Sequence, residues 1–147
     1  MCIRDLLNKK DKKVITVQLQ KTIKEAIRLM NEKRIGALIV VNDSDEVAGI
    51  ITERDILTNI EKISLSDQLS TIMTPAKKLI IVHEDDSVEY AMNIFTNNKI
   101  RHLPVFEDKS FTGIISIGDA VKGILSQQQS ENKLLHDYIT GTYPVCS

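Results

Sequence analysis

Apolar positions along the chain follow two rhythms in turn. Short apolar runs at Val14-Ile15-Thr16-Val17, Ala37-Leu38-Ile39-Val40-Val41 and Val47 to Ile51 have the length and β-branched content of strands. After the first run, Ile23, Ala26, Ile27 and Met30 recur at helical spacing. Thr22 precedes this stripe as a helix N-cap, and Glu25, three residues on, completes a capping box. The polar segment Asn42-Asp43-Ser44-Asp45 predicts a hairpin turn joining the second and third strands. Thr52 stands where the third strand gives way to a second helix near Asp55. The predicted order is β-α-β-β-α.

The same order then recurs. Leu79-Ile80-Ile81-Val82 lies 65 residues after Val14 to Val17, Ser87 takes the place of Thr22, and Val88, Ala91, Met92 and Phe95 form the second stripe. Leu103 to Phe106, the turn Glu107-Asp108-Lys109-Ser110 and Phe111 to Ile115 make the second hairpin, with Ser116 and Asp119 following. One copy is about 60 residues, a size at which a core is marginal, so each copy needs the other to cover its sheet. The expectation is an α+β fold of two β-α-β-β-α repeats packed as a pseudo-two-fold pair. Repeat 1 is placed at 3–62, a linker and lead-in at 63–74, repeat 2 at 75–125, and a C-terminal helix and tail at 126–147. That added helix carries the stripe Leu134, Leu135, Tyr138 and Ile139, with Gly141 as its stop.

Composition narrows the function classes. The 147 residues include 19 Lys plus Arg against 20 Asp plus Glu, a net charge of −1, which gives no electrostatic case for nucleic-acid binding. Aromatics are 4% with no Trp, so a base-stacking platform is not expected either. No apolar run approaches the roughly 20 residues of a membrane-spanning helix. The N-terminus lacks a signal-peptide core, so a cytoplasmic protein is expected. Cys2 and Cys146 stand far apart without a CxxC, so free thiols and no metal site are expected. The chain has no HExxH, Walker loop, GxGxxG or Ser-His-Asp grouping, and an enzyme is not expected.

The segments Arg34-Ile35-Gly36-Ala37-Leu38, Ile100-Arg101-His102-Leu103-Pro104-Val105, Gly49-Ile50-Ile51-Thr52-Glu53-Arg54-Asp55 and Gly113-Ile114-Ile115-Ser116-Ile117-Gly118-Asp119 resemble those of a tandem cystathionine-β-synthase-type (CBS) domain pair, or Bateman module. The likeness runs from about Ile3 to Leu125. It implies a stand-alone regulatory module, without catalysis or a catalytic cofactor, binding adenosine-containing nucleotides in the inter-repeat cleft. AMP is foremost, with ADP, ATP, NAD or S-adenosylmethionine as other members of that class. It also implies a homodimer read by an unidentified regulated protein.

The residue chemistry fits such a ligand. A carboxylate accepts from both ribose hydroxyls through charge-assisted hydrogen bonds, a role open to Asp55 and Asp119. Thr52 and Ser116 present hydroxyls at a helix start, where free N–H groups favour an anion. In the arrangement implied by the resemblance, one site combines Ile15, Thr16, Ile35, Gly36 and Ala37 with Arg101, His102, Ile114, Ser116, Gly118 and Asp119. Arg101 and His102 face the phosphate there, and this site is expected to bind more tightly. A second site uses Ile80, Ile100, Ile50, Thr52, Arg54 and Asp55 and lacks the basic pair. Three plainer readings stand beside this. Thr52 and Ser116 with their aspartates are helix caps; Arg101 or His102 pairs with the acidic run Glu84-Asp85-Asp86; and the Lys9 to Lys13 run is solvated surface. The alternative function is a structural dimerisation module with empty clefts.

Overall fold

The computed structural model describes residues 1–10 and 14–140, of which 130 and 133–140 are described by backbone alone. Twelve elements follow in order: α1 (Ile3–Asn8), β1 (Thr16–Gln18), α2 (Ile23–Lys33), β2 (Ala37–Val41), β3 (Val47–Thr52), α3 (Glu53–Asn59), β4 (Thr74–Pro75), β5 (Val82–His83), α4 (Val88–Asn98), β6 (His102–Glu107), β7 (Ser110–Ser116) and α5 (Ile117–Thr140). Short 3-10 turns occupy Leu69–Thr71 and Ala76–Lys78. The α+β class and the doubled β-α-β-β-α order are those expected from the sequence.

The chain folds as two compact units. The first-repeat unit is Lys12–Ile80, and the second-repeat unit joins Met1–Asp11 to Ile81–Ser147. In the first, four strands lie in the order β1-β2-β3-β4, β1 parallel to β2 and the other pairs antiparallel. In the second, the order is β5-β6-β7, parallel and then antiparallel. Leu38, Val40 and Ile51 turn one sheet face to Ile23, Ala26 and Met30 of α2. Leu103, Val105 and Ile115 do the same against Val88, Ala91 and Phe95 of α4. β2 is buried at all five positions, so its opposite face, with Ala37, Ile39 and Val41, is covered as well.

Local signals act where the pattern places them. The Thr22 hydroxyl accepts from Glu25 N–H at 3.2 Å while the Glu25 carboxylate accepts from Thr22 N–H at 2.9 Å. The Ser87 hydroxyl accepts from Tyr90 N–H at 3.1 Å. α2 and α4 both end on a left-handed residue, Arg34 and Lys99, with φ of 54° and 53°. β5 is shorter than its sequence run, because Pro104 in the adjoining strand has no N–H to extend the parallel ladder back from Val105. The segment expected as an added helix continues α5 without a break to Thr140. The stripe expected at Leu134, Leu135, Tyr138 and Ile139 lies outside the described side chains, and Gly141 outside the described residues.

The lead-in segments pack on the opposite repeat. The sequence boundaries put residues 3–8 with repeat 1, yet Ile3 and Leu6 are buried in the second-repeat core with Phe95 and Leu103. Ile3 N–H donates to Asp86 C=O at 2.9 Å, and Arg4 N–H to Glu84 C=O at 3.0 Å. Leu69, from the lead-in to repeat 2, is fully buried in the first-repeat core. In each unit the first N–H of the long helix is capped by this foreign segment: Ile23 N–H donates to Asp67 C=O and Val88 N–H to Met1 C=O. A six-residue helix has no stability alone, so burial of Ile3 and Leu6 is what forms α1.

The lead-in also sets one glycine. Gly49 of β3 pairs with Pro75 of β4, and a Cβ there would stand 2.3 Å from the Thr74 carbonyl oxygen. Gly49→Ala is therefore expected to destabilise by about 1–3 kcal/mol through strand displacement. Urea unfolding of the two proteins measures it.

Candidate functional site

Within each unit, one sheet end gathers the predicted chemistry. In the first-repeat unit Ala37 pairs with Thr52, and Glu53 N–H donates to Gly36 C=O at 2.9 Å, clipping the entry to β2 onto the start of α3. In the second, His102 pairs with Ser116, and Ile117 N–H donates to Arg101 C=O at 2.9 Å. A Cβ on Gly36 would lie 3.1 Å from the Glu53 carboxyl group, whereas Arg101 at the matching position carries an exposed side chain.

Both Thr/Ser–Asp pairs form reciprocal caps. The Thr52 hydroxyl accepts from Asp55 N–H at 3.2 Å, and Asp55 Oδ2 accepts from Thr52 N–H at 2.9 Å. The Ser116 hydroxyl accepts from Asp119 N–H at 3.1 Å, and Asp119 Oδ2 accepts from Ser116 N–H at 2.8 Å. The capping role is thus present in the fold. It occupies one carboxylate oxygen in each case and leaves Oδ1 outside the box.

The two aspartates have different surroundings. Lys10 Nζ lies 2.8 Å from Asp119 Oδ2 and donates also to Ile114 C=O at 2.8 Å. The side chains of Lys10 and Asp119 are 28% and 21% exposed, so the pair is largely withdrawn from water. This corrects the expectation that the whole Lys9 to Lys13 run is solvated: docking of α1 carries Lys10 inward. The acidic run has partners nearer the N-terminus and within its own turn. Glu84 and Asp85 pair with Arg4, Nε at 3.2 Å and Nη2 at 2.7 Å, while Asp86 Oδ2 accepts from His83 N–H.

Burial alone pushes the Asp119 carboxyl up, and the Lys10 ammonium and Ser116 N–H outweigh it, holding it below the ordinary 3.8. Lys10 acts on it both through its hydrogen bond and through its charge. Asp5 and Glu25 are lowered as well, chiefly by the N–H groups of Cys2 and Thr22. A lowered folded-state value means the stabilisation is complete above the unfolded value, near pH 4, and is lost as pH falls through the folded value. Acid unfolding followed by circular dichroism should therefore begin at about pH 4 or below. In Lys10→Met the share of this acid loss that Asp119 contributes is expected to shrink, since burial then acts on Asp119 without the ammonium and brings its folded value up towards the unfolded one.

Of the predicted residues, Ile15, Thr16, Ile35, Gly36, Ala37, Ile50, Thr52, Arg54, Asp55 and Ile80 belong to the first-repeat unit. Ile100, Arg101, His102, Ile114, Ser116, Gly118 and Asp119 belong to the second. Ala37 and Ile50 are buried, Ile15, Ile35, Ile100 and Ile114 are half-buried, and Thr16, Arg54, Ile80, Arg101 and Gly118 are exposed. An open groove of about 350 Å³ lies along β1 and α2 of the first-repeat unit, lined by Val17, Gln18, Lys21, Arg28 and others. Thr16 is the one predicted site residue in its lining. Lys10 escaped the sequence reading, since its counterpart at the 65-residue offset is Pro75 and no local pattern marks it.

Comparison with known proteins decides the family. The CBS domain model matches residues 3–62 and 69–126. The chain belongs to the CBS domain family. Among curated proteins, CBS domain-containing protein CBSX3, mitochondrial, of Arabidopsis thaliana is 40% identical over 127 residues, covering 83% of this chain and 62% of that one. The chain thus spans just under two thirds of that relative. The CBS-domain containing protein ATU1752 from Agrobacterium tumefaciens has a similar crystal structure at TM-score 0.79 and 35% identity, covering 84% of this chain and 98% of that one. The CBS domain pair of protein MJ0100, solved in complex with 5′-methylthioadenosine and S-adenosylmethionine, has TM-score 0.75 at 25% identity and covers 86% and 98% of the two chains. Among the described residues, no helix of this CBS pair is long and apolar enough to cross a membrane.

Proposed function

We propose that this CBS pair is a regulatory module that binds an adenosine-containing nucleotide, AMP foremost, with Asp119 as the principal ribose acceptor and Asp55 as the weaker one. The observation that carries this is the state of the Asp119 carboxylate. It is half-buried, held below the ordinary carboxyl range by the Lys10 ammonium and Ser116 N–H against the upward push of burial, and fixed at Oδ2, while Oδ1 makes no hydrogen bond among the described residues. Such a group suits a vicinal diol, which offers two donors and no charge. The exposed Arg101 guanidinium, on the segment clipped to the same helix start, suits a phosphate. Support also comes from the MJ0100 pair, whose two named ligands share an adenosine half. ATP, NAD and S-adenosylmethionine belong to the same class. The reading is of a sensor in the cytoplasm rather than an enzyme, acting on a regulated protein through a ligand-dependent change of state.

Calorimetric titration of AMP, ATP, NAD and S-adenosylmethionine into ligand-stripped protein tests the proposal. Saturable binding by at least one is expected, and no heat from any of the four would sink it. A second reading, a structural dimerisation module, is favoured by the capping boxes, which already give both Thr/Ser–Asp pairs a role in the fold. Leu57 in the first-repeat unit and Val121 in the second, each two residues beyond its unit's aspartate, are 72% and 42% exposed, and each is an apolar side chain available to a second copy of the chain. Homodimerisation belongs to both readings. Light scattering of Leu57→Glu with Val121→Glu is expected to show a halved mass.

A further inference from the structure

We propose that Lys10 is the positioning residue for ribose recognition, fixing the Asp119 carboxylate so that Oδ1 faces the ligand hydroxyls; this rests on the nucleotide reading above. Lys10 Nζ bridges two acceptors at 2.8 Å, Asp119 Oδ2 on the first turn of α5 and the Ile114 carbonyl on β7, and so spans the strand-to-helix turn. Oδ2 takes a second hydrogen bond from Ser116 N–H, also at 2.8 Å. Two donors on one oxygen set the rotation of the carboxylate and leave the other oxygen as its remaining acceptor.

The cap alone does less. It supplies one donor to Oδ2 and no charge, and burial then favours the neutral acid, which donates where a diol needs an acceptor. The ammonium keeps the group ionised in its withdrawn position. Its own place is secured from outside the turn. α1 is anchored by buried Ile3 and Leu6 and by the Arg4 bridges to Glu84 and Asp85, and Lys10 follows directly after it. Pro75 stands at the corresponding place before the first repeat's counterpart, so the sequence supplies this lysine to one aspartate of the two. The device therefore also distinguishes the two sites.

The test compares AMP with 2′,3′-dideoxy-AMP, which lacks both hydroxyls. Calorimetry is run on wild type, Lys10→Met and Lys10→Arg, with urea unfolding to establish that each variant is folded. Wild type is expected to prefer AMP. Lys10→Met should lose about tenfold in AMP affinity and leave the dideoxy affinity unchanged, while Lys10→Arg retains most of the preference. Equal weakening of both ligands would show that Lys10 acts through the fold alone, and unchanged or tighter AMP binding would show that it is idle or a competitor; each overturns the inference while the nucleotide reading stands. Failure of wild type to bind either ligand overturns both.

Discussion

Asp119→Ala is expected to weaken AMP binding about a hundredfold, to the edge of detection by calorimetry. Two hydrogen bonds to a charged acceptor are lost at once, each contributing on the order of 1.5–3 kcal/mol when desolvated. The same change removes the reciprocal cap with Ser116 and leaves the Lys10 ammonium with the Ile114 carbonyl as its remaining partner. A stability loss of about 1–2 kcal/mol should accompany it. Asp119→Asn separates the two effects, since its amide oxygen still accepts from Ser116 N–H while the charge is gone. It should keep most of the stability and still bind AMP at least about tenfold more weakly than wild type. Binding by Asp119→Asn equal to wild type would remove the carboxylate from ligand recognition and leave it as a cap.

The exchanged lead-in segments give the second large effect. Ile3 and Leu69 are both fully buried, each in the core of the repeat that does not follow it. Ile3→Ala and Leu69→Ala should each cost about 2–5 kcal/mol, the range for a truncated core aliphatic. Where the loss appears is the sharper expectation. Hydrogen exchange should quicken in α4, β6 and β7 for Ile3→Ala and in α2, β2 and β3 for Leu69→Ala. The reverse distribution would show that each segment supports its own repeat.

Much of the fold was legible because its signals are short-range. Thr22 and Glu25 cap a helix three residues apart, and Ser116 and Asp119 do the same, so spacing alone places them. Apolar runs mark β2 and β3 within a residue of their observed ends, and Thr22 and Ser87 mark the starts of α2 and α4, whose stripes end at Met30 and Phe95, three residues before Lys33 and Asn98. Where the pattern was less reliable, another strand intervened. The run Leu79 to Val82 has strand composition, yet its ladder begins at Val82, because Pro104 sits in the partner strand.

The candidate site divides along the same line. Asp55 and Asp119 were legible as a repeated pair after Gly-Ile-Ile, and both caps are seen. Their difference was not legible. Lys10 reaches Asp119 across 109 residues, and Arg4 reaches Asp85 across 81, with nothing in the neighbourhood of either partner to announce it. Lys10 reads as one member of a basic run until α1 is docked.

The sequence by itself determined the duplication, the order of elements in each copy, the caps that start the helices and the family to which the chain belongs. Each depends on residues a few positions apart or on a pattern repeated at a fixed offset, where backbone geometry alone sets the relation. Tertiary structure decided which core receives each lead-in segment and which aspartate receives a lysine. Those follow from apolar burial, which is non-directional and links residues without regard to their separation along the chain. Once Ile3 and Leu6 are buried, the few residues that follow have little freedom, and Lys10 comes to lie against Asp119.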